Sequence, residues 1–293
     1  MIQTGVEVYR SYWRRDCEDR AFMLGAVGIV CAIVLRAEHF TLEVAEVDAD
    51  RARAHLTQYD AENRPPQPPP PAPPLHPNAW TGCLAYAACL LGVTYAISNG
   101  LVRLDAFHTG ELDAARVQSG QWWRAWTALT LHLSGPHLAA NLGGGIWFGY
   151  LAGRQLGVGV AWFLIVLGAG LANLLEGSLG PPWHQSVGAS TAVFTALGLM
   201  SAYTWRERFG LSQSWVQRWG PLVAGVILLG WLGTAGKETD VMAHILGFGI
   251  GVLLGATAAL PAVSRRLHQV HQWPAGLAAI AIMAAAWSLA LAS

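Results

Sequence analysis

The chain has 293 residues, of which 53% are hydrophobic and 12% are charged, and its formal net charge is zero. An average soluble domain is about 25% charged, so the composition indicates a membrane protein and argues against an ordinary soluble globule. The neutral balance, without a basic cluster, predicts no nucleic-acid partner. Residues 1–64 hold 19 of the 36 acidic and basic side chains, which predicts a soluble head followed by a membrane body.

The first 62 residues have the periodicity of a small α+β domain. Their apolar residues alternate as in strands or recur at helical spacing, with Asp48 as a candidate N-cap of the second helix. In chain order these residues are Val6 and Val8, then Cys17, Ala21 and Leu24, then Phe40, Leu42 and Val44, then Ala49, Ala52, Leu56 and Tyr59. We predict the order β-α-β-β-α, a pattern that resembles the small N-terminal domains of some bacterial membrane proteins.

The apolar stretch at residues 21–35 has two other interpretations, a first membrane span or a signal peptide. It is bounded by Arg20 and Arg36, and it is shorter than the roughly 20 residues that cross a bilayer. No small-residue cleavage site follows it. We therefore favour its assignment to the soluble domain.

Nine prolines lie within residues 65–77. Such a segment is too stiff and too poor in backbone donors for a helix or a sheet, and it is typical of a polyproline II spacer. A ligand for a signalling domain is the alternative. The predicted domain boundaries are residues 1–62 for a soluble cytoplasmic domain, 63–78 for the linker, 79–260 for a core of six transmembrane helices, and 261–293 for a cytoplasmic loop and a seventh helix.

Seven apolar segments of near-spanning length follow the linker. They lie at about residues 79–99, 136–153, 159–178, 188–204, 220–235, 240–260 and 273–292. If the head is cytoplasmic, the arginines concentrate in the short cytoplasmic connections, as the positive-inside rule requires. The second, fourth and sixth spans then all enter from the outer face.

Polar side chains stand near the outer starts of these three spans. His132, His137 and Asn141 belong to the second, Ser190 to the fourth and His244 to the sixth. Taken singly, a membrane serine usually packs helices and a buried histidine is usually a satisfied donor. A nucleophile, a base and polar donors at one depth are, however, the groups that acyl transfer requires.

These motifs resemble the rhomboid family of intramembrane serine proteases. The segment GQWWRAWTALTLHLSGPHLAANL resembles the first outer loop and second span of that family, GAS its nucleophile motif, and AHILGFGIG its alanine-histidine motif. The resemblance covers about residues 80–260. It implies a bundle of six core helices, here with a seventh, and a polytopic α-helical membrane protein preceded by the α+β domain.

The resemblance also implies roles for individual residues. Ser190 and His244 would form a catalytic dyad without an acidic third member, and Phe194 would pack against the imidazole. The backbone N–H of Ser190, with the side chains of His137 and Asn141, would bind the oxyanion. The residues in supporting positions would be His132 and Arg124 in the outer loop, Gly188 in the nucleophile motif, and Gly247 on the sixth span.

Two further features concern the helices that carry the dyad. Gly198, Gly247 and Gly251, with Ala243, are predicted to let the fourth and sixth spans approach closely. Thr191 stands where the family usually has glycine, so we expect slower catalysis or a narrower choice of cleavage residue. An attack by Thr191 itself is disfavoured, because it points about 100° away from Ser190 on the helix.

We therefore expect a bacterial inner-membrane endopeptidase with a cytoplasmic N-terminus and a site that opens to the outer side. Its substrates would be transmembrane segments of other proteins, cut near the outer membrane face, and its environment the lipid bilayer. The partner of the N-terminal domain is unknown. No cofactor and no metal is expected, because the four cysteines lack ligand spacing. The alternatives are an inactive relative that binds client helices and, less favoured, a channel or transporter.

Overall fold

A computed structural model of the chain describes residues 5–63, 75–101, 106–209, 214–234 and 239–293. These residues fall into two compact units, an N-terminal one that ends with residue 63 and a C-terminal one that begins at residue 75. Most of the proline-rich segment lies outside the described residues. Its last part belongs to the C-terminal unit, where the His76 N–H donates to the Arg154 carbonyl at 2.8 Å.

The N-terminal unit has the predicted order β-α-β-β-α. Its elements are β1 Val6–Ser11, α1 Arg14–Ala26, β2 Cys31–Arg36, β3 His39–Val44 and α2 Ala49–Glu62. The strands form one antiparallel sheet in the order β1-β3-β2, and the two helices pack apolar residues such as Leu24 and Leu56 against it. The stretch at 21–35 is divided between α1 and β2, so within this unit it forms a helix end and a strand instead of one long helix.

Two local details of this unit differ from the sequence prediction. Asp48 precedes α2, but its side chain makes no capping hydrogen bond, because it ends a 3₁₀ turn at Glu46–Asp48 with helical backbone angles. An N-cap residue needs extended angles to turn its side chain toward the free N–H groups. In β1 the register shifts between Glu7 and Tyr9, which leaves Val8 as a β-bulge.

The C-terminal unit is helical, with one two-stranded ribbon formed by β4 and β5. Its elements are α3 Trp80–Ser98, α4 Ala106–Gly110, β4 Leu112–Asp113, α5 Ala114–Gln118, α6 Arg124–Thr127, α7 Gly135–Leu156, α8 Val158–Leu179, β5 Gln185–Ser186, α9 Ser190–Glu207, α10 Trp215–Leu232, α11 Val241–Ala258, α12 Pro261–Gln269 and α13 Gln272–Ala292. A long helix overlaps each of the seven predicted apolar segments, with ends that differ by up to five residues.

Judged by length and composition alone, four of the described helices could cross a membrane, namely α3, α8, α11 and α13. The other three long helices, α7, α9 and α10, are each at least 18 residues long. They are less apolar because they carry polar and charged residues, including Asn141 and Arg154 on α7 and Arg206 on α9. The chain is therefore a multi-pass helical membrane protein whose polar residues concentrate on particular helices.

Helix α9 lies at the centre of the bundle and packs against α7, α8, α10 and α11. Twelve of its 18 residues are buried, from Thr191 through Tyr203. A helix that is buried on most sides is apolar on most sides. The first residue of α9, Ser190, is only half-buried, so the central helix presents its N-terminus at the edge of the packed interior.

Helices α9 and α11 run side by side in the same direction at backbone contact. A Cβ at Gly247 would lie 2.7 Å from the Thr191 carbonyl oxygen. One at Gly251 would lie 2.2 Å from that of Thr195, and one at Gly255 would lie 2.1 Å from that of Leu199. At Gly198 a Cβ would lie 2.2 Å from the Phe248 carbonyl oxygen. The predicted close approach at Gly198, Gly247 and Gly251 is confirmed, since side chains at these positions would force the two helices apart.

Candidate active site

The helices that carry the predicted site begin in different ways. The Ser134 side chain accepts the His137 N–H at the start of α7, and the Asp240 side chain accepts the Ala243 N–H at the start of α11. Helix α9 follows Ala189, which has no side chain that could cap it. The first N–H groups of a helix without a cap are available to a ligand, and Ser190 is the residue at that position.

His244 lies one turn along α11 and is 5% exposed. Its ring packs on Phe194, with the two ring centroids 4.3 Å apart and the planes inclined by 36°. Its Nδ1 lies 2.9 Å from the Gly233 carbonyl oxygen. A carbonyl only accepts hydrogen bonds, so Nδ1 carries the proton and, in a neutral imidazole, Nε2 keeps its lone pair.

Gly188 is required both by its backbone conformation and by its surroundings. Its φ is +137°, in the region that favours glycine. A Cβ at this position would lie 2.8 Å from His137 Nε2 and 3.5 Å from Ser190 Oγ. The imidazole of His137 and the hydroxyl of Ser190 therefore flank the same small space, which only glycine leaves open.

Asn141 lies on α7 one turn beyond His137 and is 5% exposed. Its amide nitrogen Nδ2 is buried and has no hydrogen-bond partner among the described residues. Its main-chain carbonyl accepts the Tyr86 hydroxyl from α3 at 2.8 Å. A buried donor without a partner costs about 1–3 kcal/mol, and such a group in a site is explained when a ligand or an intermediate accepts its hydrogen bond.

His132 contacts the residue before the predicted nucleophile. Its Nε2 accepts the Ala189 N–H at 3.4 Å, and its ring lies edge-on to that of His137 with centroids 5.1 Å apart. Burial, with a smaller contribution from His137, lowers the pKa of His132 to about 4. His132 is therefore neutral at physiological pH, as a ring that accepts a hydrogen bond at Nε2 must be.

Arg124 is 1% exposed and holds the segment before α7. Its Nε donates to the Gln121 side chain at 2.6 Å, and one terminal nitrogen donates to the carbonyls of His108 and Glu111, both at 2.9 Å. We call Arg124 and these three acceptors the Arg124 network. Its contacts support the structural role that the family resemblance implies for Arg124.

Thr191 is 3% exposed and faces α11. Its methyl carbon would lie 3.1 Å from a Cβ at Gly247, and its carbonyl accepts the Thr195 hydroxyl at 2.8 Å. The side chain therefore fills space between the two helices. Its effect on the choice of cleavage residue remains a prediction.

Several residues that shape this region were not identified from the sequence. Gly255 continues the four-residue glycine spacing of α11, so its contact was accessible to pattern analysis. Tyr86 gave a weaker signal, a hydroxyl within an apolar span. The contact of the Gly233 carbonyl with His244 gave none, because a main-chain oxygen has no signature in a sequence.

Ser190 thus stands at the uncapped start of the buried α9, and His244 on the parallel α11 packs on Phe194 of α9, within a polytopic helical membrane protein. Residues 119–260 match the rhomboid domain family. The chain therefore carries a rhomboid domain, and members of that family are typically intramembrane serine proteases. The match begins at Ser119 instead of near residue 80 and includes every motif that suggested the family.

Proposed function

We propose that the chain is an intramembrane serine endopeptidase that cuts transmembrane segments of other membrane proteins near the outer membrane face. Ser190 is the nucleophile and His244 the general base. The proposal depends above all on the hydrogen bond between His244 Nδ1 and the Gly233 carbonyl. That bond fixes the tautomer in which Nε2 accepts a proton, the same function that a carboxylate has in a three-residue catalytic triad.

In the proposed reaction Ser190 Oγ attacks the peptide carbonyl carbon while its proton passes to His244 Nε2. The C–N bond then breaks, and the imidazolium returns the proton to the leaving amine. Water attacks the resulting acyl ester with His244 again as base, which releases the carboxylate product and restores the hydroxyl. The stacking of His244 on Phe194 limits rotation of the imidazole through both steps.

The tetrahedral intermediates carry a negative oxygen, for which three donors are proposed. They are the Ser190 N–H at the uncapped start of α9, the Asn141 amide and the His137 imidazole. Donors that are already in place stabilise this charge more than water does, because they need no reorganisation during the reaction. The buried, unpartnered Asn141 Nδ2 supports its assignment.

Labelling by a fluorophosphonate probe tests the proposal, because such probes react covalently with activated serines. The full chain in detergent should be labelled and should cleave a fluorogenic transmembrane peptide, whereas Ser190→Ala should do neither. Ser201→Ala is the matched control, since Ser201 is a buried serine on the same helix. A Ser190→Ala protein that still cleaves would refute the assignment, and a wild type that binds the peptide without labelling or cleavage would indicate an inactive binder.

We also propose that residues 1–62 form a separate soluble domain on the cytoplasmic side, with residues 63–78 as linker, in a bacterial inner membrane. The unit has its own sheet and apolar core. Expressed alone, it should remain in the soluble fraction with a mixed α/β circular dichroism spectrum. A fragment that resists carbonate extraction from membranes would contradict this and reverse the proposed topology.

A further inference from the structure

Three side chains with metal-ligand chemistry meet where α8 ends and α11 begins. They are Glu176 on α8, His184 in the segment before β5, and Asp240 at the start of α11. Their ligand atoms all lie within 4.8 Å of one another. Asp240 is far from Glu176 and His184 in the sequence, which is why no spacing motif reveals the group.

The distances within this group fit coordination of a metal ion. His184 Nε2 lies 3.2 Å from Asp240 Oδ2 and 3.5 Å from Glu176 Oε1. Bonds of 2.0–2.2 Å in tetrahedral geometry place neighbouring ligand atoms about 3.3–3.6 Å apart. The two separations from His184 are close to those that a single ion would require, and the third, between Glu176 and Asp240, is at most 4.8 Å.

Hydrogen bonding within the group does not account for this arrangement. The two contacts are ion pairs of His184 with Glu176 and Asp240. By strict geometry, His184 Nε2, Asp240 Oδ2 and both Glu176 carboxylate oxygens are buried without a hydrogen bond in the described chain. The Glu176 side chain is only 3% exposed. A buried carboxylate with so few hydrogen bonds is costly, and a metal ion bound to its oxygens would offset that cost.

The charges of the group favour a divalent cation. When both carboxylates are ionised they carry two negative charges, which a divalent ion neutralises and a single imidazolium would only halve. A nitrogen donor beside two oxygens suits zinc, whereas calcium and magnesium bind almost entirely to oxygens. We propose that Glu176, His184 and Asp240 bind one zinc-class divalent cation that ties the start of α11 to the end of α8.

Main-chain hydrogen bonds hold two of the three proposed ligands in place. The Asp240 Oδ1 accepts the Ala243 N–H at 3.1 Å, so Oδ2 is left for the ion. The His184 N–H donates to the Pro181 carbonyl at 2.9 Å, and its carbonyl accepts the Ala114 N–H at 3.0 Å. Hydrogen bonds of this kind, made by the ligand residues to groups that do not bind the metal, orient the ligands and raise metal affinity. Asp240 also precedes His244 by one helical turn, so the cation stabilises the turn that presents the imidazole.

Zinc content and thermal unfolding test the proposal without any measurement of proteolysis. The full-length Ser190→Ala protein, stripped with EDTA and then given zinc chloride, should retain about one zinc per chain after gel filtration, as judged by mass spectrometry. Its melting temperature, followed by tryptophan fluorescence, should rise with zinc concentration. Because Ser190→Ala cannot form the proposed acyl ester, this result is independent of the proposed activity.

Single substitutions then assign the ligands. Loss of a hydrogen bond that only orients a metal ligand lowers metal affinity about 10- to 100-fold. Glu176→Gln, His184→Gln and Asp240→Asn should each lower zinc affinity by more than this. Asn at position 240 still caps α11, so the helix start is preserved. Asp113→Asn is the matched control, because Asp113 also caps a helix but does not belong to the group. It should bind zinc like the parent.

Three outcomes would overturn the proposal. A stripped protein whose melting temperature does not respond to zinc would show that the group is a metal-free ion cluster. Retention of zinc in all three ligand variants would show that the metal binds elsewhere. Stabilisation by calcium or magnesium but not by zinc would refute the assigned class of ion. If a variant fails to fold, the zinc response of the parent still decides the question.

Discussion

Two polar regions lie within the rhomboid domain and its flanking segments, and they differ in how their donors are satisfied. In the Arg124 network a fully buried guanidinium donates to a side-chain amide and two carbonyls at 2.6–2.9 Å. Around Ser190, by contrast, Asn141 Nδ2 is buried without a partner in the described chain, and α9 begins without a cap.

The difference separates structural polar groups from functional ones. A buried polar group that is fully hydrogen-bonded fixes local structure, whereas one that lacks a partner destabilises the fold and is retained where a ligand or transition state uses it. The comparison therefore predicts that substitutions in the Arg124 network lower stability and that substitutions around Ser190 lower activity.

The largest expected effect is at His244. His244→Ala removes the proposed base, so turnover of a transmembrane peptide should fall by more than about 10⁴-fold, as in other serine proteases that lose a catalytic residue. The fold should persist, which circular dichroism and gel filtration in detergent would check. A variant that keeps wild-type turnover would exclude His244 from the chemistry.

Two buried asparagines provide the next test. Asn141→Ala should reduce turnover about 10²- to 10³-fold, which is the cost of one oxyanion donor, with little change in melting temperature. Asn173→Ala should lower stability by about 1–3 kcal/mol and leave the activity of the folded protein intact, because the Asn173 Nδ2 donates to the Ala125 carbonyl at 2.9 Å. The contrast concerns the two amide nitrogens, since the Asn173 Oδ1 is itself buried without a partner among the described residues. If Asn141→Ala instead lost stability and Asn173→Ala lost turnover, the distinction between paired and unpaired donors would be contradicted.

Arg124→Met tests the Arg124 network itself. The substitution keeps much of the side-chain volume but leaves the carbonyls of His108 and Glu111 without this donor, so we expect a loss of about 3 kcal/mol or more in stability. Folded molecules should still react with a fluorophosphonate at the wild-type rate. A stable variant with a slower labelling rate would assign Arg124 to the active site.

The smallest effect is expected at Thr191. Thr191→Val keeps the branched shape that packs against Gly247 and should retain both stability and activity, while Thr191→Gly should cost about 1 kcal/mol of stability. Melting temperatures and cleavage rates of these variants and of Thr191→Ser provide the measurement. If valine is inactive while serine is active, the hydroxyl at position 191 takes part in the reaction.

Much of the fold was predictable because it follows from local sequence patterns. Apolar segments of spanning length predicted the seven long helices, and strand and helix periodicity predicted the β-α-β-β-α order of the N-terminal unit. The motifs around His137, Ser190 and His244 indicated the rhomboid family. The Asp48 cap was predicted wrongly, because the sequence shows a suitable residue type but not the backbone angles that decide whether it caps.

The remaining features depend on residues that meet only in the folded chain. The sequence by itself determined the helices, the family and the candidate residues, since hydrophobic periodicity and motif spacing are local properties. Only the tertiary structure decided that the Gly233 carbonyl fixes the His244 tautomer, that Tyr86 holds the Asn141 carbonyl, and which buried donors lack partners. It also brought Glu176, His184 and Asp240 together, because hydrogen bonds and ion coordination depend on distance and direction between side chains from different helices and loops.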